Sequence, residues 1–440
     1  MASSTTEQAL RLEASIIKRS EHKMRLSDLT PNTQRVLRTL TAHNYHAYAV
    51  GGCVRDRLLG LDPKDFDVVT DATPEQIKAC FRNCRLIGRR FRLAHITFGR
   101  EVIEVATFRG HHVDDSKENL AKQSSDGQLI RDNIFGSIEE DAARRDFTFN
   151  AMYFDASNED ILDFANGIHA IQTRNIEMIG DASMRFKEDP VRMLRAARFS
   201  VKLNMTIDDE MQGIISEHAH LLANIPPARL FEEISKLLLV GKGLKTFTLM
   251  HSLGLVKILF PALDGLLNDP KGKELQLILN MLINTDERIA NEMRITPAFL
   301  YATLLWYPME ERAQQLTFDA SLAPHDAINI ASGEVIHRQV QRIMVPKRFT
   351  IPVREIWALQ SRLQKRFGKR PFQLLSHPRF RAAYDFLLLR GQVEGGELLE
   401  LAEWWTQFQE ASVEQRADMI KAVGGNSSGP RRKKRKKPRS

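Results

Sequence analysis

The stretch Asp65-Phe66-Asp67-Val68-Val69 decides how this chain is read. Its alternation predicts a β-strand, and a two-residue period turns both aspartates to one face. Two ionised carboxylates held that close repel each other unless a cation lies between them. A hard divalent ion such as Mg²⁺ removes the cost, keeps some of its waters and takes phosphate oxygens as further ligands. A second strand is predicted over Val102-Ile103-Glu104-Val105-Ala106-Thr107-Phe108, with Glu104 opposite the apolar Ile103 and Val105. Glu104 either joins the aspartates as a third carboxylate or pairs with a nearby arginine.

Upstream, Tyr48-Ala49-Val50 runs into Gly51-Gly52 and a short helix ending at Gly60, with Leu58 and Leu59 on its inner face. A glycine pair before a helix lets backbone N–H groups approach a phosphate, and Arg55, one turn in, is placed to complete an anion site. The plainer reading is a tight turn. In Arg144-Arg145-Asp146, two guanidinium groups can clamp triphosphate oxygens, and Asp146 can accept from a ribose hydroxyl or orient an arginine. Glu188-Asp189-Pro190 reads as a helix start. Arg192, Arg195 and Arg198 then recur on one face without acidic neighbours in the sequence, an arrangement suited to phosphates.

Taken in order, Gly51-Gly52-x-Val54-Arg55-Asp56-x-Leu58-Leu59-Gly60, Asp65-x-Asp67, Arg144-Arg145-Asp146-Phe147-Thr148-x-Asn150-Ala151-Met152 and Glu188-Asp189-Pro190-x-Arg192-x-Leu194-Arg195-Ala196-x-Arg198-Phe199 resemble the class II nucleotidyltransferases. That group holds the tRNA CCA-adding enzymes and the bacterial poly(A) polymerases. Arg85 to His95, with Arg89, Arg90 and Arg92 around Phe91, resembles the segment that marks bacterial poly(A) polymerases, and His377 to Phe386 and Ala402 to Trp405, with the basic tail, resemble the gammaproteobacterial branch. The basic stretch suits RNA backbone and base stacking.

The resemblance implies an α+β fold: a nucleotidyltransferase head with a small mixed sheet and flanking helices, then an all-α neck and body. It implies adenylate transfer from ATP to RNA 3′ ends (of mRNA or small RNA). Asp65 and Asp67 would hold two Mg²⁺ ions, with Mn²⁺ as a substitute, and Asp146 and Glu104 would stand with them as catalytic residues. Gly51, Gly52, Arg55, Arg144, Arg145, Asp189, Arg192, Arg195 and Arg198 would hold the nucleotide. Asp189 and Arg192 would read the base edge, which admits ATP and CTP alike. The alternatives are a CCA-adding enzyme and a non-catalytic RNA-binding protein. Where the family has an Asp-Leu pair and an Ile-Arg, this chain has Ala170-Ile171 and Ile176-Glu177, so a looser hinge or compensating contacts are expected there.

Composition agrees. A chain of 440 residues, 43% hydrophobic, can bury more than one core. No apolar run is long enough to span a membrane, and Cys53, Cys80 and Cys84 lack metal-ligand spacing, so reduced thiols and a cytoplasmic location are expected. The net charge of +8 equals the eight Lys and Arg of residues 431–440, which include Arg431, Arg432, Lys433, Lys434, Arg435, Lys436 and Lys437. A neutral body with a cationic arm predicts polyanion binding. If every arm charge met a phosphate of single-stranded RNA, log K would fall with log salt at a slope of about −5 to −6. The expected order is a mobile segment (1–32), the head (33–171) with a flexible loop from His111 to Asp132, a neck (172–260), a body (261–410) and a disordered basic tail (411–440). His325-Asp326 reads as surface, not a metal centre, and Trp404-Trp405 as a core edge. Protein partners in RNA decay or RNA chaperoning stay unnamed by the sequence.

Overall fold

The computed structural model describes residues 12–88, 92–110, 121–123, 129–132 and 135–425, in two compact units divided after Leu222. The first is built on strands β1 (Ser15–Ile17), β2 (Ala47–Val50), β3 (Asp67–Thr70), β4 (Cys84–Ile87), β5 (Leu93–Phe98), β6 (Glu101–Thr107), β7 (Ala121–Gln123), β8 (Leu129–Asp132), β9 (Met152–Asp155) and β10 (Ile161–Asp163). Eight form one mixed sheet in the order β1-β10-β9-β2-β3-β6-β5-β4, in which β3 and β6 run parallel. Its helices are α1 (Pro31–Ala42), α2 (Gly52–Leu58), α3 (Pro74–Cys80), α4 (Ile138–Arg144), α5 (Gly167–Thr173), α6 (Ala182–Glu188), α7 (Val191–Leu203) and α8 (Asp209–His218). The fold is α+β.

Central strands are apolar on both faces: Met152, Tyr153 and Phe154 of β9 are fully buried. β6 alternates, with Ile103 and Val105 buried and Val102 and Glu104 exposed. On the face that carries Asp67, Val69 is roofed by Ala142 of α4 together with Phe108, Tyr153 and Phe164. Asp67, one pleat back from Val69, is open to solvent.

Several expectations move. β3 begins at Asp67, and Asp65 lies two residues ahead of it. In α2 the buried residues are Cys53, Val54, Arg55 and Asp56, while Leu58 and Leu59 are half-buried. Glu188 ends α6 instead of opening the next helix. The residue before a proline is pushed out of the helical region, and Asp189 is extended (φ −146°, ψ 91°) ahead of Pro190, which precedes α7. Residues 12–32 are not a loose lead-in: β1 pairs with β10, and Lys18 and Arg19 bind Asp160 and Glu159. Within His111 to Asp132, the described backbone forms the β7–β8 hairpin.

At the departure from the family pattern, main-chain pairing does the bracing. The Ile176 N–H donates to Thr206 O at 2.8 Å, Thr206 N–H to Arg174 O at 2.7 Å, and Thr148 N–H to Glu177 O at 3.0 Å. Ala170 is fully buried. Ala170→Asp would bury a carboxylate there and is expected to cost about 2–4 kcal/mol in chemical denaturation; unchanged stability would show that the family's aspartate fits this chain too.

The second unit is helical from Pro227–Leu238 to Val413–Gly425. Trp405, fully buried, donates its indole N–H to Leu363 O at 2.9 Å, and Trp404 stacks on Phe408 at 4.6 Å. Met419 and Ile420 pack on this cluster, so residues 413–425 are a docked helix and not part of a disordered tail. His325 and Asp326 are exposed, 3.5 Å apart. No helix among the described residues is long and apolar enough to cross a membrane.

Candidate active site

Asp67 and Glu104 are brought together by the parallel β3–β6 register, which pairs Val68 with Val105. The Asp67 carboxyl sits in a recess: solvent reaches it, yet burial is the largest of the influences that push it up to about 6. Glu104 and Asp65 push the same way, and Arg145 opposes them. Among the described residues the side chain that pairs with Glu104 is His95 on β5, at 3.2 Å, and not an arginine. Among the described residues no point is ringed by three or more His, Cys, Asp or Glu side chains. Hard carboxylate oxygens are the donor type Mg²⁺ takes, one or two of them completing a shell of water and phosphate, so Asp67 and its acidic neighbours would suit that ion.

A pH dependence follows. Asp67's folded-state value lies above the ordinary 3.8, so its ionised form costs stability above about pH 6 and nothing below about pH 4. A divalent cation held at Asp67 would offset that cost. Mg²⁺ is expected to raise the melting temperature well above pH 6, with the rise fading as pH falls through 6; a rise independent of pH would count against the site.

Gly51 carries φ +71° between β2 and α2, and a Cβ there would stand 3.3 Å from Nη1 of Arg145. The turn thus needs glycine both for conformation and for room. Arg55 does not complete an anion site. It is buried, donates to Asp56 Oδ1 at 2.7 Å and Asn150 Oδ1 at 2.6 Å, and lies 5.0 Å over the Phe199 ring. Phe147 and Phe149 stack at 5.4 Å and meet Phe199 edge-on at 5.7 and 5.6 Å. Three motifs far apart in sequence meet at this aromatic cluster.

Arg145 is fixed by groups the sequence reading passed over. Its Nε and Nη2 donate to Asp141 Oδ2 at 3.1 and 3.0 Å, its Nε also to Tyr153 Oη at 3.0 Å, and Nη1 to Asn150 O at 3.2 Å. Tyr153 Oη donates to Asp141 at 2.8 Å. Asp141 lies one helical turn before Arg145, a spacing visible in the sequence. Asp146 orients an arginine: Arg195 Nε donates to it at 2.6 Å, as do the Phe147 N–H and the Asn150 amide, both at 2.9 Å. Burial opposes its ionisation, but Arg195 and these donors hold it down at about 2.

The arginines of α7 do have acidic neighbours, supplied from elsewhere in the fold. Arg192, buried, donates to Glu188 at 2.9 Å and to Arg185 O at 2.8 Å, while Arg195 takes Asp146. Arg198 lies 5.1 Å over Phe199. Asp189 Oδ1 accepts from the Val191 N–H at 3.3 Å. Arg144 donates to Gly110 O at 2.5 Å, and burial, together with the charges of Arg109, Arg185 and Arg192, lowers it to about 10. Arg185, also lowered to about 10 by burial, donates to the Arg144 and Arg145 carbonyls at 2.8 and 2.5 Å. Arg109, Arg144, Arg185 and Arg192 form a partly dehydrated cationic cluster, with Glu188 the acid beside Arg144, Arg185 and Arg192 and Asp141 the acid beside Arg109, and such a cluster suits an anion. Sequence reading named Arg144 and Arg192 there and missed Arg109 and Arg185.

Arg92 pairs with Glu75 at 2.5 Å. Arg89, Arg90 and the arm from Arg431 to Lys437 lie outside the described residues.

Residues 47–177 match the family model for the Poly A polymerase head domain, 204–267 that for the Probable RNA and SrmB- binding site of polymerase A, and 320–440 that for the Polymerase A arginine-rich C-terminus. The chain is 46% identical to Poly(A) polymerase I of Salmonella typhimurium over 441 residues, covering 99% of this chain and 95% of that protein. It is 35% identical to a CCA-adding enzyme of Bacillus licheniformis over 240 residues, 54% of this chain and 58% of that one. Among solved structures, the Bacillus stearothermophilus CCA-adding enzyme in complex with CTP is similar with TM-score 0.53 at 25% identity, over 91% of this chain and 90% of that chain.

Proposed function

This chain belongs to the poly(A) polymerase family, and we propose that it lengthens RNA 3′ ends, forming a bond from the terminal 3′-oxygen to the α-phosphorus of ATP and releasing pyrophosphate. It is a polynucleotide adenylyltransferase. The CCA-adding relative matches about half of the chain, so that alternative is not favoured.

The observation that carries the reading is Asp67 and Glu104 side by side at the open end of the sheet, with Arg145 close enough to act on Asp67. We assign the transfer to the head, residues 33–171, and place Asp65 and Asp67 as ligands for two Mg²⁺ ions. Bound there, the ions lower the pKa of the RNA 3′-hydroxyl and ease departure of pyrophosphate. Arg144, with Arg109 and Arg185, receives the triphosphate. Arg145, immobilised by Asp141, keeps its positive charge beside the carboxylates. Asp189 and Arg192 read the base, the plane of Arg192 being fixed by Glu188 and the Arg185 carbonyl. Asp146 and Arg195 tie this helix to the head, and Arg55 braces the glycine turn. The arm around Arg431 to Lys437, with Arg89, Arg90 and Arg92, contacts RNA. A cytoplasmic location fits the three unpaired cysteines.

The reaction is tested with an RNA ending in a 3′-hydroxyl and the same RNA ending in a 3′-deoxynucleotide. Pyrophosphate release matching adenylate incorporation with the first, and none with the second, is the expected result; release with both would refute 3′-end transfer.

Asp141 acts through Arg145 as a positioning residue. Asp141→Asn is expected to raise KM for ATP about tenfold, the worth of a hydrogen bond to a charged group, with KM for RNA unchanged and partial rescue by Asp141→Glu. Equal changes in both KM values would mean a general structural role.

A further inference from the structure

We propose that a groove in the helical unit binds an adenylate residue of single-stranded RNA, its base amine on Asp385 and its phosphates on arginines at the rim. The inference rests on the reading of RNA as substrate and adds a binding site outside the catalytic head.

The groove, of about 770 Å³, lies between the end of helix Lys273–Ala290, the segment 291–300 and helix Phe380–Glu394. That volume is within the range of small-molecule sites. Leu300 and Leu389 are buried in its wall, with Phe299 beside them. Arg288, Arg294, Arg379 and Arg381 line it against the acids Asp385 and Glu287. Arg288 donates to the Arg294 carbonyl at 3.0 Å, which ties the segment to the helix end, and Arg379 is steadied by Glu355 at 2.8 Å.

Asp385 distinguishes the occupants. Its side chain is 26% exposed, and among the described residues Arg381 is the side chain that pairs with it, at 2.9 Å. A carboxylate has lone pairs beyond that pair to accept from an exocyclic amine, while an adjacent guanidinium donates to a ring nitrogen. Adenine presents both groups together, as cytosine does, and of the two the reaction's product supplies adenine; uracil lacks an exocyclic amine and offers its ring N3–H between two carbonyls. An acidic peptide would match the arginines but bring its carboxylates against Asp385. Apolar walls, a half-buried acid and a cationic rim together fit a nucleotide, and the reaction's own product supplies adenylates.

The test uses the full chain and fluorescently labelled oligo(A) and oligo(U). Asp385→Leu is expected to weaken oligo(A) binding about tenfold, leave oligo(U) binding unchanged, and leave addition of the first adenylate to a short primer at the wild-type rate. It should also keep the rise in melting temperature produced by ATP; loss of that rise would mean a site for free ATP and overturn the proposal. Equal loss for both oligonucleotides, or none, would overturn it, as would displacement of oligo(A) by polyglutamate. Should Asp385→Leu fail to fold, Ala382→Trp, which fills the groove, must give the same selective loss. Failure of the wild-type protein to extend any primer would refute the enzymatic reading while leaving the binding comparison intact.

Discussion

Asp67→Asn lowers adenylate transfer about 10³-fold, the scale of losing one electrostatic anchor of a phosphoryl-transfer site, while RNA retention stays at the wild-type level. The same substitution should raise the melting temperature near neutral pH. Asp67 is held above the ordinary carboxylate range by burial, Glu104 and Asp65, so its ionised form is under strain that a neutral amide relieves. Activity lost with stability gained separates a functional carboxylate from a structural one. A variant that loses activity because it melts early would place Asp67 in the scaffold. Asp65, exposed and ahead of the strand, should show the same loss of transfer as Asp65→Ala with less change in stability.

Asp146→Ala is expected to cost about 3 kcal/mol of stability, because it leaves Arg195 without its carboxylate in a mostly buried pair. It also strips the Phe147 N–H and the Asn150 amide of their acceptor. The Arg195–Asp146 bond joins the Arg144–Met152 block to α7, so the arginines proposed to hold the nucleotide lose their footing and transfer is expected to fall as well. The pH dependence has a definite sign. Asp146 is depressed to about 2 from 3.8, so its ionised form stabilises the fold above about pH 4. That share, about 2 kcal/mol by linkage, is lost as pH falls from about 4 to 2. Equilibrium denaturation across that window should show the loss in the wild type and a flatter profile in the variant. Parallel profiles would mean that the carboxylate is not ionised against Arg195.

What the sequence disclosed and what it hid divide along the range of the interactions. The alternation around Glu104 needs its own strand and nothing else, and it holds. So does the end of α2, where Gly60 takes φ +75°. The partners of the α7 arginines come from other elements: Asp146 is 49 positions from Arg195, and no periodicity announces such a pair. Three arginines read as unmet charge were therefore already met in part. Arg55 misled for the same reason, since Asn150 and the Phe199 ring reach it through tertiary packing. The start at Glu188 failed on a local rule, the extended backbone that Pro190 imposes on Asp189. β1 went unread because three residues, Ser15-Ile16-Ile17, carry too little pattern and become a strand only against β10. The aspartates and the head motifs were legible as chemistry; the Asp141–Arg145 spacing was legible but passed over, and Tyr153's share of the clamp emerges from packing.

The central claim is tested most directly by supplying the purified protein with Mg²⁺, an unstructured RNA oligonucleotide and either ATP or CTP, and reading product lengths on a gel. A long ladder with ATP and no comparable extension with CTP is the predicted result. Addition that stops after a few residues and needs CTP with a tRNA-like acceptor, or no extension with either nucleotide, would contradict it.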